Sequence, residues 1–400
     1  MADTNGGVPM ALEVEESAAL LTLIRVGHIY APEPLGAGDI LIAGGRIAAI
    51  GAPLEVPSGW PLRIVEAPEL TAVPAFIDQH VHVTGGGGEG GCATRCPEIT
   101  ALEIAAMGIG TVVGVLGTDS VSRSPADLLA KVRGLRAEGI AAYLYTGAYR
   151  VPPPTLTGDL QRDLAWIPEV LGLGELAISD HRSSQPRQHE IERLVSDVRV
   201  GAMLAGKRGI CHFHVGDGER GLEPLRRLLS ETEIPAEQVI PTHVNRRRAL
   251  LEEAADYALR FGANVDVTAF EDPGEAGLDG FDAVCRLLER GVPLARITLS
   301  SDCNGSLPEF DAAGRYLGMR VARNTALIAA WRRLVQEGVL PLERALGLIS
   351  GHVAQVLGLQ HRKGRLAVGH DADVTLVDAA LTPCQTFVNG RRVYDVGTAG

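Results

Sequence analysis

Aromatic residues make up only 4% of this 400-residue chain, and no uncharged apolar stretch reaches the roughly 20 residues that a membrane helix needs. The N-terminus, MADTNGGVPMALEVEES, has neither a basic start nor an apolar core, which argues against a secretory signal. A basic excess is missing too. The formal charge is −12 and the pI about 5.4, so neither a nucleic-acid backbone nor an anionic membrane surface is expected as the main partner. The six cysteines (Cys92, Cys96, Cys211, Cys285, Cys303 and Cys384) are too scattered for a disulfide framework, and a reduced, cytoplasmic protein is expected. Cys92 and Cys96 are spaced as half of a zinc site, but no second pair follows, and they read as loop thiols. What the chain has in quantity is small or apolar: 48 glycines and 46% hydrophobic residues beside 22% charged ones. That balance suits a soluble globular protein with helices packed closely on a parallel sheet.

The length suggests two or three domains, unless one of them is a (β/α)8 barrel, which runs to roughly 250 residues as a single unit. A buried strand followed by an amphipathic helix recurs through the middle of the chain. The strand-like runs are 73–83, 110–117, 140–149, 175–180, 209–216, 238–245, 264–269 and 296–302. Near-continuous apolar runs with β-branched residues are what strands buried on both faces require. One intervening helix is clear: Ser124 as N-cap, Pro125 at the first turn, Asp127 beside the positive helix end, then Leu128, Leu129, Val132 and Leu135 as the apolar stripe, closed by Gly139. Residues 246–260 make another. Eight such strands imply an α/β fold with the parallel sheet closed as a TIM-type barrel over residues 73–365. The two ends read as short strands with hairpin turns at Gly44-Gly45 and Asn389-Gly390. Neither end is apolar enough for its own core, so residues 16–72 and 366–400 are expected to join as a small β-sandwich domain, with residues 1–15 a flexible tail.

His80-Val81-His82 falls at the end of the first barrel strand, where residues two apart share a face and can reach one ion. Alone this is weak. His214, His243 and Asp302 also fall at C-terminal strand ends (fifth, sixth and eighth), the rim where barrel enzymes keep their active sites. Imidazole and carboxylate together suit zinc or a similar divalent ion. Two glycine-rich runs carry no nucleotide chemistry. Gly85 to Gly91 lacks the Lys-Ser/Thr of a phosphate loop, and Gly172-x-Gly174-x-x-Ala177 precedes a strand instead of following one.

At these residues the chain resembles the amidohydrolase superfamily, and within it the isoaspartyl (β-aspartyl) dipeptidases over nearly its whole length. The matching pieces are PAFIDQHVHVTGGGGEGG (74–91), GVLGTDS (114–120), YTGAYRVP (145–152), AISDHRS (177–183), PTHVNR (241–246) and SSDCNGS (300–306), with Gly369-His370-Asp371-Ala372-Asp373 at the return to the β domain. The resemblance implies two zinc ions, one on His80, His82 and Asp302, the other on His214 and His243. A bridging hydroxide, formed because a metal lowers the pKa of its water to roughly 7, would attack the amide. Asp302 would shuttle the proton and Tyr149 would polarise the carbonyl. Glu89 would pair with the substrate ammonium, Arg182 and Arg246 with carboxylates, and Thr118 and Ser306 would add hydrogen bonds. A β-aspartyl dipeptide carries two carboxylates and one ammonium, which two Arg and one Glu complement. Taken singly, Arg246 could be a solvated helix start, Glu89 a loop tip and Tyr149 core. The relatives are oligomeric, so a homo-oligomer is expected.

One position departs from the family. Its carbamylated lysine, which bridges the metals from the fourth strand, is matched by Glu175, and the only lysines are Lys131, Lys207 and Lys363, none at a strand end. A glutamate keeps the carboxylate but sits roughly 3–4 Å closer to the backbone. Either the metals lie nearer strand four or one ion is held. The substrate could change with it, to an N-acyl amino acid or a cyclic amide, or the chain could be a catalytically silent metal-binding homologue.

Overall fold

The apolar residues near the two chain ends meet in one sheet. The computed structural model describes residues 21–55, 59–270, 277–310 and 316–397, and the expected tail at 1–15 lies outside them. The chain opens with β1 (Leu21–Tyr30), β2 (Pro34–Ala43), β3 (Arg46–Gly51) and β4 (Leu62–Pro74). It continues, with helices between strands, through β5 (Phe76–Val81), β6 (Ile109–Gly114), β7 (Ala141–Thr146), β8 (Val170–Ile178), β9 (Ile210–Val215), β10 (Val239–Thr242), β11 (Val265–Thr268) and β12 (Ile297–Ser300). An antiparallel pair, β13 (Ser306–Phe310) and β14 (Tyr316–Val321), follows, and the chain returns as β15 (Val374–Val377), β16 (Pro383–Val388) and β17 (Arg391–Asp395).

The end strands form a seven-stranded mixed sheet in the order β17-β16-β15-β4-β1-β2-β3, so β4 is flanked by a strand from each end of the chain. Ile24, Ile29, Ile40, Ile42 and Ile47 from the front bury against Leu376 and Phe387 from the back. This shared core is why neither end stands alone. The pairings make one sheet; the second layer of the expected sandwich is not among the described pairings. Both hairpin turns, at Gly44-Gly45 (φ 56° and 76°) and Asn389-Gly390 (φ 47° and 76°), have positive φ at both central residues, the geometry that matches strand twist and that Gly and Asn tolerate.

All eight barrel strands occur, each followed by helical or loop connection. The fourth begins five residues earlier than expected, at Val170, and the sixth and eighth stop short of His243 and Asp302, which sit just beyond their ends. The parallel ladder runs unbroken across β5 to β10, and β11 pairs separately with β12. Among the described residues the ladder therefore does not close. At one seam a single parallel bridge joins Val81 to Cys303, with His82 N donating to Cys303 O at 2.9 Å. At the other, the Asn245 side chain stands in for backbone, donating to Thr268 O at 2.8 Å and accepting from Thr268 N at 2.9 Å. The expected helices are present as Pro125–Ala137, where the Ser124 side chain accepts from Asp127 N, and Arg248–Phe261.

Where the chain re-enters the sheet, Lys363 is buried with Asp371 and Asp373. Its Nζ lies 2.5 Å from Asp373 Oδ2 and 3.2 Å from Asp371 Oδ2, while Arg362 holds the other oxygen of Asp371 at 2.9 Å. Burial alone would lower the lysine pKa, but the two carboxylates raise it, so the ammonium stays charged. Lys363→Met leaves the Asp373 carboxylate without its buried counter-charge, keeping only the hydrogen bond from Asn389 N. The expected loss is about 3–5 kcal/mol, the usual result of breaking a buried ion pair. It is read as a fall in urea midpoint by circular dichroism, and an unchanged midpoint would remove this cluster from the contacts that hold the sheet in place.

Candidate active site

Glu175 lies near the end of β8 with no solvent exposure, and its two oxygens face four imidazoles. Oε1 is 3.3 Å from His82 Nε2; Oε2 is 3.4 Å from His80 Nε2, 3.2 Å from His214 Nδ1 and 3.4 Å from His243 Nε2. Asp302 Oδ1 approaches the first pair from just beyond β12, 3.1 Å from His82 Nε2 and 3.4 Å from His80 Nε2. All six metal candidates expected from the sequence thus converge. They make overlapping groups: His80, His82 and Glu175; Glu175, His214 and His243; His80, His243 and Asp302.

These residues fit a divalent cation. Ligands at about 2.0–2.1 Å in a tetrahedron stand roughly 3.3 Å apart, close to the separations seen here. His80 Nε2, Glu175 Oε1 and Asp302 Oδ1 are buried and have no hydrogen-bond partner among the described residues, and such unsatisfied polar atoms gathered in one place suit ligation of an ion. Burial would lower the His82 pKa, but Asp302 and Glu175 push it up to about 10, whereas burial dominates at His243 and pushes it down to about 3. Burial would raise both carboxylates, yet the imidazoles around them keep each below its usual range.

The second nitrogen of three of these rings is also held. His214 Nε2 is 2.9 Å from Asp180 Oδ2, His243 Nδ1 is 2.7 Å from Thr268 Oγ1, and His80 Nδ1 is 2.9 Å from His212 Nε2. Such outer contacts orient each ring and turn its other nitrogen toward Glu175. Asp180 approaches only because residue 216 is glycine, since a Cβ there would fall 2.4 Å from Asp180 Cβ. His243 and Asp302 both take left-handed backbone conformations, φ 60° and 53°, a strained geometry for residues other than glycine that clusters at functional sites.

Above the cluster opens a cavity of about 570 Å³, lined by His82, His214 and Asp302 and by every expected substrate-facing residue: Glu89, Thr118, Tyr149, Arg182, Arg246 and Ser306. Tyr149 is buried, its hydroxyl 2.7 Å from His214 Nδ1; burial, reinforced by Glu175, raises its pKa well above the usual phenol, so it remains an O–H donor. Arg182 commits Nε and Nη2 to Asp180 at 3.0 and 2.8 Å and turns Nη1 to Glu89 Oε1 at 3.5 Å. Ser306 Oγ donates to the same Glu89 oxygen at 3.0 Å. Among the described residues Arg246 is freer, with its nearest carboxylate, Asp217, 4.0 Å away and its Nε buried without a hydrogen bond, and Thr118 Oγ1 likewise has no partner.

Sequence reasoning missed Asp180, His212 and Thr268. Asp180 appeared only within the AISDHRS piece, with no role of its own. His212 makes a second His-x-His with His214, a spacing identical to that of His80 and His82. Thr268 carried no local signal. Glu175→Gln keeps the size of the side chain and removes its charge. Metal retained after dialysis, measured by inductively coupled plasma mass spectrometry, is expected to fall by more than the roughly 10–100-fold that outer-contact changes cost; full retention would exclude Glu175 from the ligand set.

The chain is similar to known amide hydrolases. A model of the Amidohydrolase family matches residues 226–394. The crystal structure of a beta-aspartyl dipeptidase from the thermophilic, keratin-degrading Fervidobacterium islandicum AW-1, in complex with the dipeptide beta-Asp-Leu, is 40% identical. It superposes with a TM-score of 0.89, covering 95% of this chain and 97% of that one. A second structure of a beta-aspartyl dipeptidase from that organism gives 38% identity and a TM-score of 0.86, with 94% and 98% covered. More distantly, a dihydroorotase of Elusimicrobium minutum is 24% identical over 405 aligned positions, covering 89% of this chain and 88% of that protein.

Proposed function

The chain belongs to the beta-aspartyl dipeptidase family of metal-dependent amidohydrolases, and on that premise we propose that it hydrolyses the β-aspartyl amide bond of small dipeptides. The observation that carries this reading is the cavity in which Glu89, Arg182 and Arg246 surround the mouth of the histidine and carboxylate cluster. Their charges, two positive and one negative, complement the two carboxylates and one ammonium of the substrate.

In this reading His80, His82 and Asp302 would hold one zinc ion and His214 and His243 a second, with Glu175 in the same ligand set. Bound there, the metal supplies Lewis acidity, which makes water a nucleophile near neutral pH and polarises the scissile carbonyl. The distances of 3.2–3.4 Å from Glu175 Oε2 to three imidazoles support a ligand set that includes Glu175. Asp302, held ionised by His82 and its neighbours, accepts the proton of the attacking water and delivers it to the leaving amine. Tyr149 donates its O–H to the oxygen that gains charge, a contact worth most in a site that excludes water. Arg246, with its free Nε, takes one substrate carboxylate and the outward edge of Arg182 the other. Glu89 leaves Ser306 to meet the ammonium, and Thr118 adds a hydrogen bond. Residues 73–365 are the catalytic unit in this proposal, and residues 16–72 with 366–400 support it. Cytoplasmic residence agrees with six unpaired cysteines, and a homo-oligomer would cover exposed Trp166, Met203 and Leu204.

A second reading, the opening of a cyclic amide, is favoured by Glu175 and by the similarity to a dihydroorotase. One substrate panel separates the two. Zinc-loaded protein is expected to release leucine from β-Asp-Leu and not from α-Asp-Leu, with activity lost to a chelator. Cleavage of α-Asp-Leu alone, or of a cyclic amide in place of either dipeptide, overturns the proposal; metal binding without turnover of any panel member would mark a silent homologue. Asp302→Asn is expected to lower kcat by about 10²–10⁴-fold, the range for removing a general base. Arg246→Met is expected to raise KM by at least about tenfold with the smaller effect on kcat, and the reverse pattern in steady-state kinetics would take Arg246 out of substrate binding.

A further inference from the structure

We propose that His212 positions His80 for metal binding, by accepting a hydrogen bond from His80 Nδ1–H that leaves the Nε2 lone pair facing Glu175 and Asp302. This rests on the ligand role given to His80 above. β9 reads ICHFHV, and its alternation puts His212 and His214 on one face. His214 reaches Glu175, whereas His212, one pleat deeper in the barrel, meets His80 with Nε2 2.9 Å from His80 Nδ1. The two rings stand edge to face, 5.0 Å apart at 65°, and Tyr145 stacks on His212 at 5.1 Å and 21°, fixing its plane. Gly174 leaves room for it, since a Cβ there would fall 2.9 Å from His212 Cβ.

A neutral imidazole carries one ring proton, so this pair has two arrangements. If His212 Nε2 donated, the His80 proton would sit on Nε2, pointing at the carboxylates and blocking coordination. If His80 Nδ1 donates, Nε2 is free, and His212 carries its own proton on Nδ1. The other supported ligands are held by oxygen, His214 by the Asp180 carboxylate and His243 by the Thr268 hydroxyl. His80 is instead held by the ring of His212, which burial and the neighbouring His80 keep neutral.

The test reads ion binding, by competition with a chromophoric chelator and by ion content, on protein whose fold is checked by circular dichroism. His212→Phe keeps a planar ring against Tyr145 and removes the acceptor; His212→Gln returns an amide oxygen near the position of Nε2. Affinity for one ion is expected to fall about 10–100-fold in the Phe variant and to recover most of that in the Gln variant. Parental affinity in the Phe variant overturns the proposal, and so does an equal loss in both variants, which would make His212 a packing residue. Should the Phe variant not fold, His212→Asn decides, because its shorter amide cannot reach His80: a tenfold loss supports the proposal and unchanged affinity overturns it. Because the readout is metal and not turnover, unaltered protein that binds zinc but leaves β-Asp-Leu intact would sink the substrate reading alone.

Discussion

The carboxylate of Glu175 is cut off from water at the centre of the barrel's C-terminal rim, and an isolated charge there would be strongly disfavoured. Four imidazoles answer it. Each ring that faces Glu175 must then satisfy its other nitrogen, and three do so through Asp180, Thr268 and His212. The requirement passes outward from there. Asp180 is held by Arg182, Arg182 lies over the Tyr149 ring and reaches Glu89, and Glu89 accepts from Ser306. The groups that face a substrate are therefore continuous with the groups that face a metal, and the position of one constrains the other.

A second buried carboxylate does comparable work lower in the barrel. Asp266 on β11 accepts from Gln79 on β5, Thr242 on β10, and Thr298 and Ser300 on β12, all at 2.6–2.7 Å. Burial raises its pKa, and these four donors act against that rise. The strands it connects are those between which the backbone ladder is interrupted. Side-chain hydrogen bonds to a charged acceptor are worth about 1.5–3 kcal/mol each, more than a neutral pair. They supply across the seams part of the cohesion that a continuous ladder gives β5 to β10. Asp78, bonded to Ser301, adds a further tie between β5 and the segment that carries Asp302.

Much of this was legible from order along the chain. The eight strand-like runs, the Ser124 cap, both hairpin turns and the ligand candidates His80, His82, His214, His243 and Asp302 all rest on local patterns: period, turn chemistry, or position at a strand end. The family resemblance added the roles and drew attention to Glu175. Less legible were the strand limits, because an apolar run continues past the last paired residue, as at His243 and Asp302. The outer contacts were hardly legible at all, since Asp180, His212 and Thr268 reach ligands 34, 132 and 25 residues away.

By itself the sequence determined which residue types were available and where they fell along each element: a buried strand, its terminal histidine or carboxylate, and the helix that follows. Local sterics and side-chain alternation depend only on near neighbours, so a linear reading reaches them. The joining of the two chain ends was expected, but only the tertiary structure decided that they pair as one sheet around β4, that the ladder breaks beside β11, and that one short glutamate meets four imidazoles. Those outcomes depend on which distant side chains are left without water or a partner once the chain is packed, and burial of that kind has no counterpart in a stretch of sequence.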